Sequence, residues 1–173
     1  MTTLVARVQL EFVRDLVALF ERDDNMMQPV AVYQSQYIAI IALLRSVGHV
    51  FEKVDCVEAV RRAWCRQRWK VWNQNPVFSQ FIEPTRNDLL KEFAGGLELN
   101  CDAIGVAAIV ADPSMPRGAC QVVSFDPRKF RDRNGRSVLQ QLHAAIAFWN
   151  ECLAEAERQF GNDLHDRSGQ PRS

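Results

Sequence analysis

Four residues on one stretch of the chain have the side chains needed for acid–base and phosphate chemistry. Arg45, His49, Glu52 and Lys53 follow one another at spacings of four, three and one, so a helix would gather them into a single polar stripe. In such a stripe an imidazole can move a proton, a carboxylate can fix its tautomer, and a guanidinium can stabilise a phosphoryl oxyanion. The same residues also suit an exposed helix edge with i,i+4 pairing. A second pair, Arg86-Asn87, lies in the segment Glu83-Pro84-Thr85-Arg86-Asn87-Asp88-Leu89-Leu90-Lys91-Glu92-Phe93. Leu89, Leu90 and Phe93 would point inward there, which places Arg86 at the boundary of the core.

The strongest charge asymmetry follows the first stripe. From Ala59 to Ile82 there are five basic residues, Arg61, Arg62, Arg66, Arg68 and Lys70, and no acidic one. At 100° per residue Val60, Trp64 and Val71 share an inward apolar stripe, whereas Trp69 falls among the basic positions. Guanidinium groups pair with phosphates and an indole face accepts any base, so Arg61, Arg62, Arg66, Trp69 and Lys70 form a candidate surface for RNA or another single-stranded nucleic acid. The plainer reading is a solvated face whose arginine stems cover Trp69. A second basic cluster, Arg128, Lys129, Arg131, Arg133 and Arg136, surrounds Phe130 and contains only Asp132 as an acid. Should the two clusters meet on one surface, the nucleic-acid reading gains.

Other chemistries have little to stand on. His49, His143 and His165 are far apart, and the five cysteines include no C-x-x-C pair, so no metal site is expected. His143 reads as a boundary residue of the last helix. No Gly-rich phosphate loop, nucleophile elbow, H-E-x-x-H or paired-carboxylate motif occurs, and no cofactor is implied. An odd number of scattered cysteines fits reduced thiols in a cytoplasmic protein. Charged residues interrupt every apolar run before a signal sequence or a membrane span is reached.

The elements that must position these residues are helical. The chain has 173 residues, 47% of them hydrophobic, with 21 basic and 21 acidic side chains, which is the composition of one ordinary globular domain. A first helix is expected from Thr3 to Arg22, with one apolar face made by Leu4, Val8, Phe12, Leu16, Leu19 and Phe20. A second, from Val32 to Val54, has a broad apolar arc of Tyr37, Ile40, Ile41, Leu44, Val47, Phe51 and Val54, and Gly48 within it marks a close approach by a neighbour. A third spans Val57 to Trp72, and a fourth starts near Pro84 and ends at Gly95-Gly96. Short Val- and Ile-containing runs between Leu97 and Phe125 predict a β-hairpin. Ser137 and Gln140 form a capping box for a last helix reaching Phe160, on which Leu139, Leu142, Ile146, Trp149, Leu153, Ala156 and Phe160 face inward. Their wide apolar faces should make the second and last helices core neighbours. The expected fold is mainly α: an antiparallel bundle of about five helices with a small hairpin before the last, forming one domain over 1–160, with 161–173 as a polar, disordered tail.

This layout, with an Arg-Asn pair on the penultimate helix after a basic third one, resembles the HEPN superfamily of all-α domains. The resemblance spans about residues 3 to 160, and Arg86-Asn87 is its one sharp element. It implies an RNA-cutting toxin or defence effector, or a non-catalytic or nucleotide-binding relative. The superfamily's nuclease motif places a histidine five to seven positions after the arginine, where this sequence has Lys91, Glu92 and Phe93. Cleavage would therefore need a base from His49, His143 or Glu92. The resulting expectation is a HEPN-like protein of a toxin–antitoxin or defence system that binds RNA, a protein partner or a second copy of itself as a homodimer, with Arg86, Asn87, Arg45 and His49 as its site. The competing expectations are a non-catalytic helical scaffold and an enzyme of unrelated chemistry.

Overall fold

The computed structural model describes residues 3–22, 30–92, 129–132 and 134–168. Helices account for 86% of the described residues, with no strand among them. The order is α1 Val5–Glu21, α2 Val30–Val50, α3 Ala59–Trp72, α4 Glu83–Asn87 and α5 Val138–Ser168. Wide π-type turns extend three of these elements: Phe51–Asp55 continues α2, while Phe78–Ile82 and Asp88–Glu92 flank α4. Cys56 N–H closes the first of them by donating to the Phe51 carbonyl five residues back. The helical run therefore begins before Pro84. Proline has no N–H to donate and its ring crowds the carbonyl of the preceding turn, and a widened turn just upstream accommodates it.

The hairpin expected over 97–125 lies outside the described residues, as does the fourth helix's expected end at Gly95-Gly96. Among the described residues the β structure is confined to an isolated antiparallel bridge between Arg131 and Ser137. The last helix runs on beyond Phe160 to Ser168, so the expected boundary at 160 falls inside α5. Its cap is half formed: Gln140 N–H approaches Ser137 Oγ at 3.4 Å. No helix among the described residues is long and apolar enough to cross a membrane.

The faces of α2 and α5 are the expected ones. Every residue assigned to the α5 stripe is buried, as are Tyr37, Ile40, Ile41, Leu44, Val47 and Phe51 of α2; only Val54 of that arc is exposed. The two helices meet through Trp149, which is 0% exposed. A Cβ on Gly48 would lie 2.6 Å from Cη2 of Trp149 and 2.6 Å from Cζ3 of Trp69, so the glycine is the gap into which both indoles fit. Phe51 stacks on Phe160 at 6.1 Å, and Trp69 stacks on Trp149 at 6.2 Å.

The face of α1 differs from expectation. Its buried residues are Ala6, Leu10, Val13, Val17 and Phe20, while Val8, Phe12 and Leu19 are exposed. Two apolar sets of the same period coexist on this helix, and periodicity cannot choose between them. The polar residues flanking the buried set make the choice. On one side Gln9 donates to Ser46 Oγ of α2 and, at 3.3 Å, to the Leu43 carbonyl. On the other, Arg7 bonds both carboxylate oxygens of Glu157 at 3.0 Å and Asn150 Oδ1 at 2.7 Å on α5. The start of α1 is capped from a distance: the buried Asp55 carboxylate accepts N–H bonds from Val5 at 2.8 Å and Ala6 at 2.9 Å. A carboxylate there meets both the unpaired first-turn donors and the positive end of the helix dipole.

On α3 the inward residues are Cys65 and Trp72, with Trp64 and Trp69 partly buried, whereas Val60 and Val71 are exposed. The large indoles lie to one side of the expected valine stripe and draw the packed face toward themselves. Leu90 is likewise exposed rather than inward, because the wide turn Asp88–Glu92 changes the angular step per residue.

Candidate functional site

Arg45 and His49 stand one turn apart on α2, and Arg86 and Asn87 end α4. All four line a single cleft of about 480 Å³ between these helices, with Ser46, Glu83 and Lys91 also in its wall. The pairing of stripe and Arg-Asn motif, which no spacing in the sequence relates, is produced by packing of α4 against α2. Three cations, Arg45, Arg86 and Lys91, face one carboxylate, Glu83, so the cleft favours an anion.

Each charged group has a defined hold. Arg86 Nη1 donates to Asn87 Oδ1 at 3.0 Å, which fixes the guanidinium against its neighbour. Arg45 pairs with Glu83 at 3.6 Å. Its guanidinium carbon also sits 5.3 Å from the ring centroid of Phe78 and 5.9 Å from that of Trp69, within cation–π range. Glu83 was no part of the expected constellation, and its placement one turn before Arg86 was the available signal. Lys91 stands five positions after Arg86, and its side chain reaches the same cleft. His49 is exposed at the rim. Glu52, expected to orient the imidazole, instead pairs with Lys53 at 3.3 Å, and neither lines the cleft.

The α3 residues divide. Arg62, Arg66 and Lys70 are exposed at successive i,i+4 positions. Arg61 lies 4.8 Å from the Phe160 ring centroid and 4.0 Å from Glu58, and Arg68 pairs with Glu155. Trp69 is no open platform: it stacks on Trp149 and meets Phe78 edge-on at 5.5 Å. Its place against Gly48 requires that burial.

Of the basic cluster before α5, Lys129, Arg131 and Arg136 do not line the cleft, and Arg128 and Arg133 lie outside the described residues. Phe130 is 1% exposed and packs between Phe20 at 5.7 Å and Tyr33 at 5.6 Å. Tyr33 and Gly48 are fifteen residues apart on one helix, roughly 22 Å at the α-helical rise, so Phe130 and Trp69 pack at different levels of α2. Burial opposes ionisation of Asp132, but hydrogen bonds from the backbone and guanidinium of Arg136, from Asn134 N–H and from Gln141 prevail and hold its pKa below the ordinary 3.8. His143 meets Glu21 at 3.2 Å, away from the cleft lining. Glu92's side chain lies outside the described residues.

Cys56, Cys65 and Cys152 are buried free thiols. A hydrogen bond with Cys65, together with burial, pushes the Cys56 thiol up, and burial pushes Cys152 up to about 12. These cysteines behave as small core residues. Among the described residues no cluster of His, Cys, Asp and Glu is arranged to hold a metal ion. Neither a family model, nor a curated protein sequence, nor a solved structure matches the chain.

Proposed function

We propose that this chain is a HEPN-like helical protein of a toxin–antitoxin or defence system that binds RNA, and that the α2–α4 cleft holds a phosphodiester of the strand. The supporting observation is the convergence of Arg45, His49, Arg86 and Asn87 on one positively charged cleft. Arg86, steadied by Asn87, and Lys91 bind phosphoryl oxygens, and Arg45 shares its charge between Glu83 and the ligand. Binding outranks cleavage in this reading. Where the resemblance calls for histidine there is Lys91, whose ammonium donates three hydrogen bonds and accepts none. Among the described residues His49 is the one imidazole in the cleft, and none of their carboxylates orients it as that of a general base ordinarily is.

Fluorescence anisotropy with a labelled single-stranded RNA at low salt tests the reading. The parent should bind and Arg86→Ala should bind at least tenfold more weakly, with no metal-independent cleavage in the same samples. A parent that does not bind overturns it. Cleavage abolished by His49→Ala would instead make the cleft an active site.

A second reading, a non-catalytic interaction protein, is favoured by the outward stripe of α1. Val5, Val8, Phe12 and Leu19 share one side of the helix with exposures of 49%, 60%, 53% and 46%, an apolar row of the kind that marks protein contacts. Phe12→Glu should abolish any self-association seen by light scattering if this surface joins two copies.

A further inference from the structure

The cleft opens beside two basic rows. On α2 the row is Arg45, His49 and Lys53; on α3 it is Lys70, Arg66 and Arg62, each with i,i+4 spacing. Trp69 of α3 lies against Gly48 and under the Arg45 guanidinium, which places the Trp69 level of α3 beside the cleft. Phe51, in the continuation of α2, meets both Trp72 at 5.6 Å and Trp64 at 6.5 Å. The Lys70 end of the α3 row is thus next to the cleft and the Arg62 end is remote from it.

We propose that this face is a continuous phosphate track: a single RNA strand, with one phosphodiester in the α2–α4 cleft, leaves it past Trp69 and lies along Lys70, Arg66 and Arg62. The proposal rests on the cleft reading above and adds the path, the length and the strandedness of the ligand. Three features support it. Among the described residues Arg66 and Lys70 have no acidic partner, and the Arg62 guanidinium donates to the Val57 carbonyl at 2.7 Å, so none of the three charges is neutralised there. Their spacing along α3 is ~6 Å per step, close to the step between successive phosphates of an extended strand. Trp69, with its faces taken by Trp149 and Arg45, is a wall of the turn between row and cleft rather than a stacking platform. A path that bends from a helix surface into a cleft suits a flexible single strand, whereas a stiff A-form duplex would remain on the surface.

Oligouridylates from about three to about twelve nucleotides, titrated against the whole chain by anisotropy across salt, provide the test. Affinity of the parent should rise steeply with length to about six nucleotides and then level off. In the exposed-residue variant Arg66→Ala/Lys70→Ala that gain with length should vanish. The salt dependence for the long oligomer should fall by about 1.4 in log–log slope, ~0.7 for each phosphate of a single strand that is no longer neutralised. An unchanged length profile in this variant, with Arg86→Ala still losing binding, overturns the track and leaves the cleft reading standing. Loss in Arg66→Ala/Lys70→Ala without loss in Arg86→Ala overturns both the continuity and the cleft. Equal affinity for a blunt duplex of the same length overturns the single-strand assignment.

Discussion

Two regions of this chain have the same signature on paper: arginines and lysines crowded around one aromatic residue. In α3 the aromatic is Trp69; before α5 it is Phe130. The fold sends both rings inward, Phe130 between Phe20 and Tyr33 and Trp69 onto Gly48 and Trp149. The arginines then diverge. Before α5, Asp132 accepts the Arg136 guanidinium at 2.8 Å and two backbone N–H groups, and ties the segment into a turn closed by Gly135 at φ 75°. In α3 no acid interrupts the row, and Arg62, Arg66 and Lys70 remain in solvent. An aromatic among arginines therefore says little about stacking, because apolar burial claims the ring first. The position of the nearest acid separates a structural turn from a surface open to anions.

The comparison breaks most readily at the rings. Phe130→Ala should destabilise the protein by ~3–5 kcal/mol, as loss of a fully buried aromatic does. Trp69→Ala should cost toward the lower end of that range, since its ring is only partly buried. Urea melts of both variants check this, and a Trp69→Ala variant within about 0.5 kcal/mol of the parent would restore the ring to the surface. Gly48→Ala comes next. Its new methyl would meet carbons of Trp69 and Trp149 at 2.6 Å, and the overpacking should cost ~1–3 kcal/mol despite the better helix propensity of alanine. Indole fluorescence, shifted toward exposed tryptophan, should accompany the loss.

Asp132 sharpens the comparison with a smaller effect. Its folded-state pKa is held below the ordinary carboxylate value by the hydrogen bonds that outweigh burial. The unfolded chain therefore takes up the proton first as pH falls. The stabilisation is fully present above about pH 4 and is lost as pH drops through the lower folded value. Asp132→Asn should cost about 1–2 kcal/mol at neutral pH, the scale of charge-assisted hydrogen bonds, and should flatten the acid limb of the stability profile. An identical limb in parent and variant would mean that the turn does not depend on ionisation.

How much of this was legible in the sequence depends on whether one pattern or two were available to packing. The α2 and α5 faces each had a single apolar solution, and the structure adopts it nearly residue for residue; Gly48 correctly announced a close neighbour. Helix α1 offered two solutions, and the decision lay with Gln9 and Arg7 reaching residues far away in sequence. The Asp55 cap of α1 was invisible for the same reason, being fifty residues from the N–H it accepts. The four cleft residues were named from sequence, but their meeting depends on how α4 sits against α2. Glu52 follows the exposed-edge reading of its stripe, paired with adjacent Lys53 rather than with His49.

The smallest expected stability effect decides whether the α3 row is surface or scaffold. Arg66 and Lys70 are exposed and touch no acid among the described residues, so Arg66→Ala and Lys70→Ala should each leave stability within about 0.5 kcal/mol of the parent. Alanine also has the higher helix propensity, which offsets any loss from packing of the long stems. The matched change on the other side, Arg136→Ala, removes a 2.8 Å bond to Asp132 and should be measurably worse. If Arg66→Ala were as destabilising as Arg136→Ala, the row would be a structural element of the bundle, and the contrast between the two basic regions would collapse. A neutral Arg66→Ala beside a destabilised Arg136→Ala would leave the α3 charges with no role in folding, which is the condition for assigning them to a polyanion.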